Sequence, residues 1–196
     1  MAVSLHETCQ EYFRRRLSEG WRCISLEGYN AVLLSPDGIR REIDLRNDVE
    51  TLRPNAPGDE TAIALQFPDS TFHWDKVDEA SPDDASTYVY GNPLFDFQRD
   101  LYALPASSGS GVINKITVHF RGKEDAATLG VIRASIKSDS TVTDGDTHGF
   151  ASGRDWESFS QEWATNPADD EAWEWADIDA LQIGTRPPRG KGRIQA

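Results

Sequence analysis

Sulfur and imidazole are scarce in this 196-residue chain, which has two cysteines, one methionine and four histidines. Cys9 and Cys23 form neither a disulfide framework nor a zinc pattern. They fall on adjacent predicted elements, where a single bridge is possible and two buried free thiols are the expected state. His6, His73, His119 and His148 are far apart, and none has a second histidine at metal-ligand spacing. His119, between Val118 and Phe120, reads as a surface or cross-strand residue. The N-terminus has no apolar h-region, and no stretch approaches the roughly 20 apolar residues of a membrane span. The expectation is a soluble chain that uses neither a secretory route nor a membrane.

Positive charge is also in short supply, with 20 Lys+Arg against 33 Asp+Glu and a net charge of −13. Residues 55–184 hold 8 basic and 24 acidic groups, whereas residues 185–196 hold 4 basic and none acidic. A body this acidic repels phosphate backbones, which argues against nucleic-acid binding. Arg14, Arg15 and Arg16 do not change this, because Glu7, Glu11 and Glu19 offer helix-spaced partners. The basic tail (Arg186, Arg189, Lys191, Arg193) is either a solvated segment or a dock for an acidic neighbour, including a second copy of the body.

Hydrophobic and aromatic residues make up 38% and 10% of the chain, enough for a core. Residues 4–18 read as an amphipathic helix with a Ser4/Glu7 capping box and an apolar stripe of Leu5, Cys9, Tyr12, Phe13 and Leu17. Arg22–Leu26, Tyr29–Ser35 and the segment after Ser35-Pro36-Asp37-Gly38 read as paired strands, the last sequence being a strong turn signal. A helix and hairpin of this size bury little alone and should pack on the next domain or on a partner. Residues 44–59 look like a linker, with two prolines and a glycine between Arg53 and Gly58. The predicted division is an N-terminal anchoring and assembly region, 1–54, followed by a domain of 55–196.

Many short segments after residue 54 alternate apolar and polar residues between turn signals. Thr61–Gln66, Phe72–Val77, Thr87–Gly91, Gln98–Leu104, Gly111–Phe120, Gly130–Ser138, Ser158–Ala164 and Ala180–Gly184 all read as strands. Ser107-Ser108-Gly109-Ser110-Gly111 reads as a flexible connector. Trp175, Ile178 and Leu181 share one face of a helical turn at 174–180 that feeds the last of these strands, so Trp173 and Trp175 are mainly structural. The predicted fold class is mainly β: an antiparallel, jelly-roll-like β-sandwich preceded by a small helix plus hairpin.

The order of several pieces resembles a β-sandwich module of structural proteins in tailed phages and prophages. The pieces are Asp48-Val49-Glu50-Thr51-Leu52-Arg53-Pro54-Asn55, Val77-Asp78-Glu79-Ala80 with Thr87-Tyr88-Val89-Tyr90, Arg99-Asp100-Leu101-Tyr102, Gly111–Val118, and Trp163-Ala164-Thr165-Asn166-Pro167 with the stretch through Gly184. The resemblance spans roughly 48–184 and carries no catalytic residues. It implies a non-enzymatic virion component, a capsid decoration, head fibre or tail-associated module, assembled in the host cytoplasm with other virion proteins. The family pattern ends in a further alternating strand, of which only Arg193-Ile194-Gln195-Ala196 remains here. That leaves an open sheet edge as the expected clue to a partner.

Tyr12, Phe13, Arg186, Arg189 and Ile194 are therefore the predicted interface residues of a homo-oligomer. Asp139, Asp144 and Asp146 share one Gly-containing loop and are the candidate calcium ligands, although their spacing fits no EF-hand. Trp156, after Gly153, Arg154 and Asp155, is the candidate for stacking on a host-surface glycan. The expectations are ordered: virion assembly, then carbohydrate binding, then glycan hydrolysis by acidic loop residues.

Overall fold

The computed structural model describes residues 2–5, 16–27, 30–44, 49–91, 98–109, 111–124, 130–151, 155–186 and 192–195. The fold is mainly β, with antiparallel sheets stacked as a sandwich and helical residues at 16–18. The strands in chain order are β1 Ala2–Leu5, β2 Arg22–Glu27, β3 Asn30–Leu34, β4 Arg40–Asp44, β5 Glu50–Leu52, β6 Ala56–Thr61, β7 Leu65–Phe67, β8 Tyr88–Tyr90 and β9 Asp100–Ala103. They continue as β10 Ile116–Glu124, β11 Val131–Ser138, β12 Thr141–Asp144, β13 His148–Gly149, β14 Glu157–Trp163, β15 Gln182–Arg186 and β16 Gly192–Gln195. Helix α1 spans Trp175–Ala180.

A 7-stranded sheet runs β5-β1-β10-β16-β8-β7, with β14 on the other side of β10. A 6-stranded sheet runs β12-β11-β15-β9-β6, with β13 paired to β11. Their inner faces meet through Ile116, Val118, Phe120, Val89 and Ile194 on one side and Ile132, Ala134, Ile136, Ile183 and Tyr102 on the other, all buried. Alternation sets this arrangement, because on a pleated strand every second side chain faces the same way. β2, β3 and β4 form a separate 3-stranded sheet, where Gly38 (φ 89°) closes the predicted turn.

The first and last strands share one edge of β10. Ala2–Leu5 pairs with its first half and Gly192–Gln195 with its second. This corrects three expectations. Ser4 sits opposite Thr117 in a strand and does not cap a helix. β1 and β5 pair within the sandwich sheet although they lie before residue 54. The tail is not a missing neighbour either: β16 lies between β10 and β8, while β15 is flanked on both sides by β11 and β9. Ile194 is fully buried inside the chain and is not available as an interface residue.

Other departures are local. The expected linker contains β5 and most of β6, and β6 pairs with β9 despite Pro57. Phe72–Val77 is not a strand, since Trp74–Lys76 forms a 3-10 turn. Cys23 is exposed, not buried, and Cys9 lies outside the described residues. No helix among the described residues is long and apolar enough to cross a membrane.

Candidate functional site

Along β8, Val89 points into the core while Tyr88 and Tyr90 lie on the outer face of the 7-stranded sheet. The same alternation on β10 buries Phe120 and turns Arg121 and Lys123 outward. Strand register then aligns these positions across the sheet. Leu65 faces Tyr90 and Phe67 faces Tyr88. Arg193 faces Tyr90 on one side and Lys123 on the other.

The result is a strip of rings and cations crossing one end of the sheet. Phe67 stacks on Tyr88 with centroids 5.3 Å apart, and Tyr88 meets Tyr90 at 5.7 Å. The ring of Trp156 reaches Tyr88 edge-on at 6.1 Å. The Arg193 guanidinium lies 4.6 Å from the Tyr88 centroid, and the Lys123 ammonium 5.6 Å from that of Trp156. Lys123 and Arg193 are like charges directly opposite one another, an unfavourable cross-strand pair that the ring faces help to offset.

Arg121 makes a bidentate contact with Asp84 (2.6 and 2.9 Å) and donates to Ser158 Oγ at 2.9 Å. The hydrogen bond from Arg121 holds the Asp84 carboxyl below the usual aspartate range, and the charges of Arg121 and Lys123 add to this. Asp155 is an exposed rim carboxylate beside Trp156, while Glu157 accepts from the Ala151 N–H at 2.8 Å. At the far edge, Leu65 and Phe67 are 41% and 46% exposed on β7, which among the described residues has a neighbour strand on one side only. Apolar surface left open on an edge strand marks a contact region.

Of the residues singled out from sequence, Trp156 and the tail residue Arg193 belong to this strip. Tyr12, Phe13 and Arg189 lie outside the described residues. Arg186 is on the outer face of the other sheet, 3.4 Å from Asp144. Asp139, Asp144 and Asp146 do not converge, and no group of three metal-binding side chains occurs among the described residues. Asp144 is instead part of a charge network: it contacts Arg99 at 3.0 Å and Ser135 Oγ at 2.6 Å, and Arg99 also holds Glu60 at 2.7 Å.

Burial opposes ionisation of Asp144, but hydrogen bonds from Ser135 and Arg99, with the charges of Arg99 and Arg186, outweigh it and lower its pKa. A carboxyl lowered on folding adds stability above its unfolded pKa that is lost as pH falls through the folded value. An NMR titration should place its midpoint below 3.8, and Arg99→Gln should raise it. A midpoint unmoved by that substitution contradicts the network.

A second polar cluster lies inside the sandwich. Asp100, fully buried, accepts from the Ile63 N–H at 2.8 Å and from Tyr102 Oη at 3.1 Å, and its Oδ2 is 2.6 Å from His73 Nδ1. Burial, then the Asp100 charge and hydrogen bond, push the Tyr102 hydroxyl well above its ordinary range. Sequence reasoning missed this cluster and the Tyr88/Arg193 juxtaposition, since both depend on pairing between distant segments.

The opposite end of the sandwich is acidic. Trp163, at the end of β14, faces Ile116 at the start of β10. The loop that follows carries exposed Asp169, Asp170 and Glu171, and exposed Glu174 caps α1. Trp173 Nε1 donates to the Trp163 carbonyl at 3.0 Å and pins this loop to the sheet. Residues 107–109 are not a free connector: Asp179 accepts from the Ser107 N–H at 2.7 Å, and Glu50 from the N–H groups of Ser108 and Gly109. Trp175 packs over Gly109 and donates to the Gly111 carbonyl at 2.8 Å, so both tryptophans are structural. No protein-family model, curated protein or solved structure matches the chain.

Proposed function

We propose that this chain is a non-enzymatic virion structural module of the capsid-decoration, head-fibre or tail-associated kind, and that it works by docking through the aromatic and cationic strip. The observation that carries the docking role is the exposed pair Leu65 and Phe67 on an edge strand, continuous with Tyr88, Tyr90 and Trp156. Aromatic and arginine side chains are the groups that supply most binding energy at protein interfaces. The virion context rests on the resemblance of residues 48–184 to phage structural modules. Sequencing the DNA that flanks the gene tests it: capsid, portal or tail genes are expected, and a metabolic operon overturns the context.

A second reading, a carbohydrate-binding sandwich for host-surface glycans, is favoured by the partial exposure of Trp156 and Tyr90 next to two cations. Thermal melts across a panel of neutral and acidic sugars separate the two, because a ligand that binds only the folded state raises the melting temperature. Protein docking predicts no shift at millimolar sugar. A shift that Trp156→Ala abolishes would replace docking with glycan binding.

A further inference from the structure

We propose that Glu79, Thr87 and Asp83 form a proton-operated clasp across the base of the loop that leads into β8. Proton uptake by Glu79 completes a hydrogen-bond chain through Thr87 to Asp83 and tightens the loop, and proton loss slackens it. Glu79 and Thr87 stand at the two ends of that loop, between buried Val77 and β8. The Thr87 hydroxyl lies against Glu79 Oε1 and is also 3.1 and 3.0 Å from the two carboxylate oxygens of Asp83. A hydroxyl has one proton to donate. With both carboxyls ionised it serves one of them, and the other meets the hydroxyl's lone pairs. One added proton resolves this: a protonated Glu79 donates to Thr87 Oγ1, and Thr87 donates to Asp83.

Glu79 is the group placed to take that proton. Its Oε2 is buried and has no hydrogen-bond partner among the described residues. Asp83 is exposed and already accepts the Thr87 N–H at 3.2 Å, while its carbonyl accepts from the Ala85 and Ser86 N–H groups at 2.7 and 3.3 Å. Burial lifts the Glu79 carboxyl above the usual glutamate range. Hydrogen bonds from Thr87 and from its own N–H oppose this, the Asp83 charge adds to it, and the charge of the amino terminus opposes it least of all. A carboxyl raised on folding adds stability that is complete below its unfolded value and is lost as pH rises through the folded one. The sign is opposite to that of Asp144. Asp84, beside Asp83, is held by Arg121 on β10, and Thr87 runs directly into Tyr88. The state of the clasp therefore reaches the aromatic strip, whatever that strip binds.

Carbon-13 NMR of the intact chain, with amide exchange read as protection factors, tests this. The Glu79 carboxyl should titrate above 4.5. Protection of the Thr87 N–H should rise by about threefold to tenfold as pH falls through that midpoint, the net worth of one hydrogen bond. Glu79→Gln, whose NH2 group donates to Thr87 as the protonated acid does, should show the acid-side protection already at pH 7 and no further rise. Asp83→Asn removes the like charge and should lower the Glu79 midpoint, a shift that a merely structural contact would not produce. The clasp is overturned by a Glu79 midpoint at or below 4.5, or by one that Asp83→Asn leaves unmoved. Wild-type Thr87 protection that does not follow the midpoint overturns it as well, as does a Glu79→Gln variant no better protected than wild type at pH 7.

Discussion

Gly184→Ala is expected to abolish cooperative folding at 25 °C. A Cβ at this position would sit 1.8 Å from the carbonyl oxygen of Asp100, 2.9 Å from its carbonyl carbon and 3.1 Å from Leu101 Cα. All three obstacles are backbone, so no rotamer change relieves the clash. The strands cannot separate locally either, because β15 is paired on one side with β11 and on the other with β9, where Gly184 faces Leu101. Forcing atoms apart in a packed sheet costs about 1–3 kcal/mol for an extra methylene where side chains can adjust, and more where they cannot. A loss above about 4 kcal/mol is comparable with the whole stability of many domains. Gly149→Ala is the control, with nothing within 4 Å of its added Cβ. Urea denaturation followed by circular dichroism should show a transition close to wild type for Gly149→Ala and none for Gly184→Ala. A wild-type midpoint for Gly184→Ala contradicts the close approach of β9 and β15.

Asp100→Asn is expected to cost about 3 kcal/mol, because the change deprives buried donors of an acceptor inside the core. The carboxylate receives the Ile63 N–H on Oδ1 and both Tyr102 Oη and His73 Nδ1 on Oδ2. An amide keeps one acceptor and turns an NH2 group toward hydrogen-bond donors, so at least one buried donor loses its partner. Tyr102→Phe removes one donor and leaves two, and should cost about 1 kcal/mol. Chemical denaturation of the pair of variants checks the ordering. Equal, small losses would mean that Asp100 does not organise this part of the core.

Where apolar spacing and local chemistry were sufficient, the sequence was readable. Trp175, Ile178 and Leu181 correctly indicate α1 feeding β15, and Ser35–Gly38 correctly indicates the turn between β3 and β4. The alternation from Ile116 to Phe120 marks β10. Failures came where partners lie far away in the chain. Pro57 and Gly58 look like a linker, yet β6 is an edge strand, where proline is tolerated, and Gly58 lets it approach Leu101. The alternation of Phe72 and Trp74 suggests a strand, but the segment closes as a 3-10 turn, with the Lys76 N–H bonded to the His73 carbonyl. Four residues at 192–195 are too few to show a pattern, and their place between β8 and β10 depends on tertiary pairing.

The same limit governs the strip. Trp156 was visible as a tryptophan in a loop, and Tyr88 and Tyr90 as alternating residues on a strand. Their union with Phe67, Lys123 and Arg193 requires the register of five strands. Acidic residues misled in the other direction. Asp139, Asp144 and Asp146 are close in sequence, but Asp144 turns to Arg99 and Arg186, whose positions on β15 and beside β9 no local spacing reveals.

Oxidative footprinting, read by mass spectrometry at Trp156, Tyr90 and Phe67 in the isolated chain and in purified virions that carry it, tests the docking role of the strip most directly. Docking through the strip predicts that all three oxidise more slowly in the virion than in the isolated chain. Equal rates at these residues in the two states would contradict it.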